Sequence, residues 1–331
     1  EFAFSPEGSR FFSASFDGLI RLWDTATGVE FARSEGYSFF WPASLKPDGS
    51  QLAIPYYDHF EILDLDDLTV LEEVLFPPFN YSQAPTAPYD SRVTFLPNDL
   101  ISFWVGYTSS TTTFSPSMKH TYTYDAQEHL ILHRFDFGKE WESYHSCSFN
   151  GDGSVQVCQL TDSEAVKFID VAEVRTGTSL IRMRADNIDQ YALNQDGATL
   201  AYCDGGGAVL SLVEVSSSQM RQINYPCQGM LFLPGDERLL LADGRIVDLS
   251  TKETVGQFEF PSPLQEFPFV FFQEEQNYIL IGSQFYDLQT GESIGTLPTS
   301  SVVHDMAVSM DNLTLIILTD QGLEYWQAMP E

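Results

Sequence analysis

Short apolar runs alternate along the whole chain with polar turns rich in Asp, Asn, Gly and Pro. The opening stretch sets the pattern: FAF, the turn SPEG, then RFFSAS. Apolar runs of this length bounded by turn residues predict strands rather than helices. The unit recurs, with KPDGSQL from Lys46, LPNDLI from Leu96, NGDGSVQV from Asn150 and NQDGATLAY from Asn194. Weaker copies are LPGDERLLL from Leu233, QEEQNYILI from Gln273 and MDNLTLIIL from Met310. With Glu7, Asp48, Asn98, Asp152, Asp196, Gly235, Glu275 and Asp311 as the register, successive spacings are 41, 50, 54, 44, 39, 40 and 36 residues. Their mean of about 43 is the length of one four-stranded propeller blade.

Each copy repeats one order of events. An apolar strand (FAF, ASL, VTF, CSF, YAL, MLF, FVF, MAV) enters the turn, and a second, such as QLAIPY, LISFWV or RLLLAD, leaves it and reads as buried on both faces. A third closes on a polar turn, in IRLWDTATG, FEILDLDD, YTYDAQ, KFIDVAE, RIVDLSTKE and FYDLQTGE. Asp24, Asp64, Asp125, Asp170, Asp248 and Asp287 recur at its end. A carboxylate there accepts backbone N–H groups and fixes the bend, which is a structural role. Outer strands follow copies one to seven, from near Val29, Thr69, His129, Thr178, Gln219, Thr254 and Ser293, and the eighth copy has none.

SPEG, SFDG and IRLWD of the first copy make the chain resemble the WD-repeat family of β-propellers, over essentially its whole length. Only Trp23-Asp24 keeps the signature dipeptide, and the Gly-His pair of that family is missing; His304-Asp305 lies near its place without the Gly. The expectation is one all-β propeller domain over residues 1–331, with four-stranded antiparallel blades. Eight blades are favoured over seven, which would require one weak copy to be false. Eight inner sets with seven outer strands leave the last blade incomplete within this chain, so a closing strand is expected upstream of Glu1 in a longer protein.

Composition narrows the function. Sixteen Lys+Arg against 47 Asp+Glu give a net charge of −31, which repels nucleic-acid phosphates and anionic lipids. No apolar run is long enough for a membrane-spanning helix, so nucleic acid and membrane insertion are both excluded as expectations. The four cysteines, Cys147, Cys158, Cys203 and Cys227, lack metal-ligand spacing and read as small buried thiols, although Cys147 and Cys158 flank the NGDG turn almost symmetrically. His129 and His133 stand i, i+4 on an expected strand, about 13 Å apart and too far for one zinc. DGGGAV, Asp204 to Val209, lacks the following helix of a phosphate site and reads as a turn. No cofactor, metal or catalytic motif is expected. NYS at Asn80 and NLT at Asn312 are formal glycosylation sequons, which leave the compartment open; the family resemblance favours the cytoplasm.

Two long insertions break the repeat: FPPFNYSQAPTAPYDS, Phe76 to Ser91, and GYTSSTTTFSPSMK, Gly106 to Lys119. Pro77, Pro78, Pro85 and Pro88 are expected to oppose regular pairing in the first; the second is a loop or, alternatively, a strand extension with a Ser/Thr-rich tip. By the family's topology both emerge on one face, with EGYSFFWP, PYYD and KEWESYHS nearby. The candidate partner-binding residues are Tyr37, Phe39, Phe40, Trp41, Tyr56, Tyr57, Phe79, Tyr81, Tyr89, Trp104, Tyr107, Trp141 and Tyr144. Aromatic anchors with an acidic rim suit a protein or peptide partner with basic segments. The expected function is a non-enzymatic interaction scaffold. The alternatives are a propeller enzyme or small-ligand or cation binder using a central channel, and a structural subunit of a larger assembly.

Overall fold

A computed structural model of the 331-residue chain describes residues 2–5, 9–14, 19–35, 43–56, 58–77, 80–81, 84–85, 87–108, 118–135, 141–162, 166–185, 188, 190–204, 209–223, 225, 227, 229–258, 269–271, 278–299, 301–308 and 314–327. Among these residues every regular element is a strand. Sheet 1 comprises β1 (Phe2–Phe4), β2 (Arg10–Ala14), β3 (Leu19–Asp24) and β4 (Glu30–Glu35). Sheet 2 comprises β5 (Ser44–Leu45), β6 (Gln51–Pro55), β7 (His59–Asp64) and β8 (Val70–Leu75), followed by a small hairpin of β9 (Asn80–Tyr81) and β10 (Ala84–Pro85). Sheet 3 is β11 (Ala87–Phe95), β12 (Leu100–Thr108), β13 (Met118–Asp125) and β14 (Leu130–Arg134). Sheet 4 is β15 (Trp141–Phe149), β16 (Val155–Asp162), β17 (Lys167–Glu173) and β18 (Ser179–Arg184).

Sheet 5 holds β19 (Tyr191–Leu193), β20 (Thr199–Asp204), β21 (Val209–Glu214) and β22 (Met220–Ile223); sheet 6 holds β23 (Met230–Phe232), β24 (Arg238–Leu241), β25 (Arg245–Asp248) and β26 (Thr254–Gln257). Sheet 7 holds β27 (Phe269–Phe271), β28 (Tyr278–Ile281), β29 (Gln284–Asp287) and β30 (Ser293–Thr296). Sheet 8 holds β31 (Val303–Val308), β32 (Thr314–Thr319) and β33 (Gly322–Gln327). Among the described residues, consecutive strands within each sheet pair antiparallel in chain order, sheets 1 to 7 having four strands and sheet 8 three. This is the eight-bladed β-propeller architecture that the repeat predicted.

The chain divides into a unit ending at residue 186, with sheets 1 to 4, and a unit from residue 187, with sheets 5 to 8. Apolar side chains fill the space between successive sheets of each unit. In the first, Phe12, Leu22, Leu52 and Leu63 join sheets 1 and 2, and Phe60, Phe76, Phe103 and Tyr122 join sheets 2 and 3. In the second, Leu210 and Leu239 join sheets 5 and 6, Ile246 and Ile279 sheets 6 and 7, and Leu280 and Ile317 sheets 7 and 8. The second strands are buried on both faces, as their unbroken apolar runs require. Each fully buried Leu, Ile or Phe contributes about 1.5–3 kcal/mol.

A single turn design links third to fourth strands. Seven acids, Asp24, Asp64, Asp125, Glu173, Glu214, Asp248 and Asp287, end the third strands of sheets 1 to 7. Four residues on, Gly28, Leu68, His129, Gly177, Ser218, Lys252 and Gly291 all have positive φ. In six of the seven turns the residue with positive φ donates its N–H to the acid's own carbonyl. The expected role of Asp170 is corrected here: it lies in mid-strand, and Glu173 closes the turn, accepting a 2.7 Å bond from Thr176.

The turn carboxylates also collect donors. Thr27 donates both its hydroxyl and its N–H to Asp24, which lowers that carboxyl below its ordinary range. The N–H of Thr251 and the hydroxyl of Ser250 pull Asp248 down to about 2, and the N–H of Thr290 lowers Asp287. Because each folded pKa lies below its unfolded value near 4, the stabilisation is complete above that pH and disappears as pH falls toward about 2. The difference in unfolding midpoint between the native protein and Asp248→Ala, followed by circular dichroism, should therefore shrink across that window. A difference unchanged at pH 2 would rule out the carboxylate as its source.

The free-thiol reading of the cysteines is corrected. Register places Cys147 of β15 opposite Cys158 of β16, with Cα atoms 4.3 Å apart, and the two form a disulfide. Cys203 of β20 pairs with Cys227 in the connection to sheet 6, with Cα atoms 5.7 Å apart. The first pair closes a hairpin; the second ties a strand to the segment beyond its own sheet.

Candidate interaction face

The first two strands of sheets 3 and 4 are longer than their counterparts. β11, β12 and β15 have nine residues and β16 has eight, while the first and second strands of the other sheets have two to six. The second insertion thus continues the strands as the alternative reading expected: Gly106 registers with Lys119, and Tyr107 with Met118. Its tip, residues 109–117, lies outside the described residues.

The first insertion departs from expectation. Pro85 registers opposite Asn80 in the small hairpin, and Pro88 opposite Tyr107 in the extended sheet. Proline is tolerated because β11 is an edge strand, where a missing N–H need not break a ladder on both sides. The ladder slips between Pro88 and Asp90, and in sheet 4 between Trp141 and Ser143 and between Tyr144 and Ser146. Bulges of this kind re-aim a strand end.

The candidate aromatics divide three ways. Tyr89 on β11, Tyr107 on β12, and Trp141 and Tyr144 on β15 belong to these extensions, and Tyr81 to the hairpin just before them. Tyr56 and Trp104 are half-buried and pack inward. Tyr56 stacks on the His59 ring at 4.8 Å and accepts a 3.2 Å hydrogen bond from Ser91 at its carbonyl, tying the 55–59 turn to β11. Trp104 packs with Phe135, Cys158 and Leu160 between sheets 3 and 4, with the Arg92 guanidinium 5.8 Å from its ring. Tyr37, Phe39, Phe40, Trp41, Tyr57 and Phe79 lie outside the described residues.

Pro88 and Met118, the register partners of Tyr107, are not among the partner-binding residues singled out from the sequence. Asp90, Glu142 and Asp162 belong to the same strand extensions and Asp58 to the neighbouring turn. His129 and His133 are engaged elsewhere, with Glu72 at 2.9 Å and the Val174 carbonyl at 2.7 Å. DGGGAV joins β20 to β21 as expected of a strand connection, with residues 205–208 outside the described residues. Among the described residues there is no group of three or more His, Cys, Asp or Glu able to hold a metal ion, and no helix long and apolar enough to cross a membrane.

The chain is similar to a crystal structure of the computationally designed Ika8 protein, with a TM-score of 0.64 over 99% of this chain and 95% of that one. At 13% sequence identity the likeness shows the fold alone. No family model and no curated protein sequence matches the chain.

Proposed function

We propose that the chain is a non-enzymatic, WD-type interaction scaffold that presents the extended ends of sheets 3 and 4 to a protein or peptide partner with basic segments. One observation carries this reading: two successive sheets overrun the repeat, and their extensions hold Tyr89, Tyr107, Trp141 and Tyr144. The core needs no such overrun, since the other sheets bury their faces with shorter strands. Aromatic residues anchored on paired strands lose little entropy on binding, and the net charge of −31 favours a basic partner.

The test is a binding comparison with a captured, purified partner. Tyr107→Ser with Trp141→Ser should weaken binding at least tenfold, as loss of interface anchors does, while the unfolding midpoint stays close to that of the native protein. Undiminished affinity in the folded double variant would move the site elsewhere.

A further inference from the structure

The layer between sheets 3 and 4 is not wholly apolar. Trp104, Phe135, Cys158 and Leu160 fill one part of it, and buried polar side chains lie beside them. On sheet 3, Thr121 stands opposite Trp104, and Thr123 stands opposite both Ser102 and His133. Register partners and alternate residues share a face, so all of these lie on the face that meets sheet 4. On sheet 4, Gln156 precedes Cys158 by two residues and shares its side of β16. Ser102, Thr121, Thr123 and Gln156 are at most 6% exposed.

Part of this polar set satisfies itself. The carbonyl of Val174, the residue after β17, accepts the Thr123 hydroxyl at 3.0 Å and His133 Nε2 at 2.7 Å, which uses both its lone pairs. Since Nε2 faces a carbonyl, it carries the proton of the neutral ring, and Nδ1 offers a lone pair. That Nδ1, the Thr121 hydroxyl and both polar atoms of the Gln156 amide are buried without a hydrogen-bond partner among the described residues. Gln156 is the extreme case, 0% exposed with two donors and an acceptor oxygen out of contact with solvent. A dry amide in that position is costly, and an apolar side chain of the same length would pack there without the penalty.

We propose that the layer between sheets 3 and 4 is a buried hydration site, in which the Gln156 amide holds ordered water with the Thr121 hydroxyl or His133 Nδ1 as its partner on sheet 3. Water suits this mixture of groups because it both donates and accepts. It can donate to His133 Nδ1 and the Gln156 Oε1, and accept from the Gln156 Nε2 and the Thr121 hydroxyl. Buried waters make about three such bonds. A cation is the wrong ligand for an amide nitrogen and a hydroxyl, and no metal-holding group of His, Cys, Asp or Glu occurs among the described residues. An anion would meet the lone pairs of Nδ1 and Oε1. The hydrated groups lie in the same layer as Trp104, so water becomes part of what holds sheet 3 to sheet 4.

Two measurements on the whole chain test this. In a high-resolution crystal structure, a water should lie within about 3.2 Å of a Gln156 amide atom and of either Thr121 Oγ1 or His133 Nδ1. In urea unfolding, Gln156→Met, which keeps the length of the side chain and cannot bind water, should lower the folding equilibrium constant at least tenfold. A dry layer reverses the sign, because the variant would then remove two unpaired polar atoms and be as stable as the native protein or more so. Native or higher stability of Gln156→Met would therefore overturn the inference. So would a crystal in which the Gln156 amide bonds only protein atoms, or bonds nothing, or holds a water that touches neither sheet 3 group. Should Gln156→Met fail to fold, the crystal of the native protein decides by the same criteria.

Discussion

Alanine at Gly291 should cost the fold about 3 kcal/mol or more, against about 1 kcal/mol for alanine at Gly28. The two glycines hold the same place in the same turn, four residues after Asp287 and Asp24, with φ of +75° and +66°. The conformational penalty of a Cβ at positive φ is therefore nearly shared. What differs is the surroundings. At Gly28 a Cβ meets nothing within 4 Å, whereas at Gly291 it falls 2.6 Å from the carbonyl oxygen of Gln257 and 2.7 Å from its carbon. Those atoms belong to the backbone at the end of β26, which is paired to β25 and cannot withdraw as a side chain would.

Gly177 should fall between the two, since its Cβ would meet the His133 ring at 2.9 Å, and that ring is held by a hydrogen bond to the Val174 carbonyl. Lys252 tests the opposite sign. It occupies the same place at φ +63° on an exposed turn, so Lys252→Gly should gain up to about 1 kcal/mol. Urea unfolding of the four variants measures the series. Equal losses at Gly28 and Gly291 would mean that backbone angle alone sets the cost, and that the approach to Gln257 carries none of it.

The same turn explains how much of the fold was legible. Its signal is local: an acid and, four residues on, a residue able to take positive φ, with a Ser or Thr donor between them or at the last position in five of the seven turns. The fourth strands consequently begin within one residue of their expected starts, at Glu30, Val70, Leu130, Ser179, Met220, Thr254 and Ser293. Where the signal was misread, the fault was in matching a residue type rather than a geometry. KFIDVAEVRTG contains two acids, and only Glu173 stands four residues before the glycine at positive φ. Counting back from Gly177 selects it, and counting back from Ser218 selects Glu214, which a search for Asp overlooks.

Other features depend on distant approach and left no such trace. Cys227, beyond β22, meets Cys203 of β20 at a sequence separation of 24, a pairing that no local pattern encodes. At the candidate site the overrun of the repeat was visible as insertions, but its form was not, because Pro85 and Pro88 argue against pairing unless the strand is known to lie at an edge. Tyr56 and Trp104 look like their neighbours in the sequence and turn inward in the structure, since an aromatic side chain fills a gap between sheets as well as it anchors a partner.

Arg182 and Asp170 give the other large effect, and an asymmetric one. Asp170 is 1% exposed on β17, directly opposite Arg182 on β18, and its Oδ1 accepts hydrogen bonds from the Arg182 Nε at 2.8 Å and the Ser179 hydroxyl at 2.6 Å. The Arg182 side chain is 36% exposed. Replacing the cation, as in Arg182→Met, leaves a carboxylate out of water with its counter-charge removed, and should cost about 3–5 kcal/mol. Replacing the anion, as in Asp170→Asn, leaves a guanidinium that still reaches solvent beside an amide of the same shape, and should cost about 1–3 kcal/mol. The double variant Asp170→Leu with Arg182→Met removes both charges from the sheet and should be more stable than Arg182→Met alone, because the penalty belongs to the abandoned carboxylate and not to the missing bond. Urea unfolding of the three variants settles the order. If Asp170→Asn proves the costlier single change, desolvation of the carboxylate does not govern this site, and the role of Asp170 is instead to hold Ser179 and Arg182 at the start of the fourth strand.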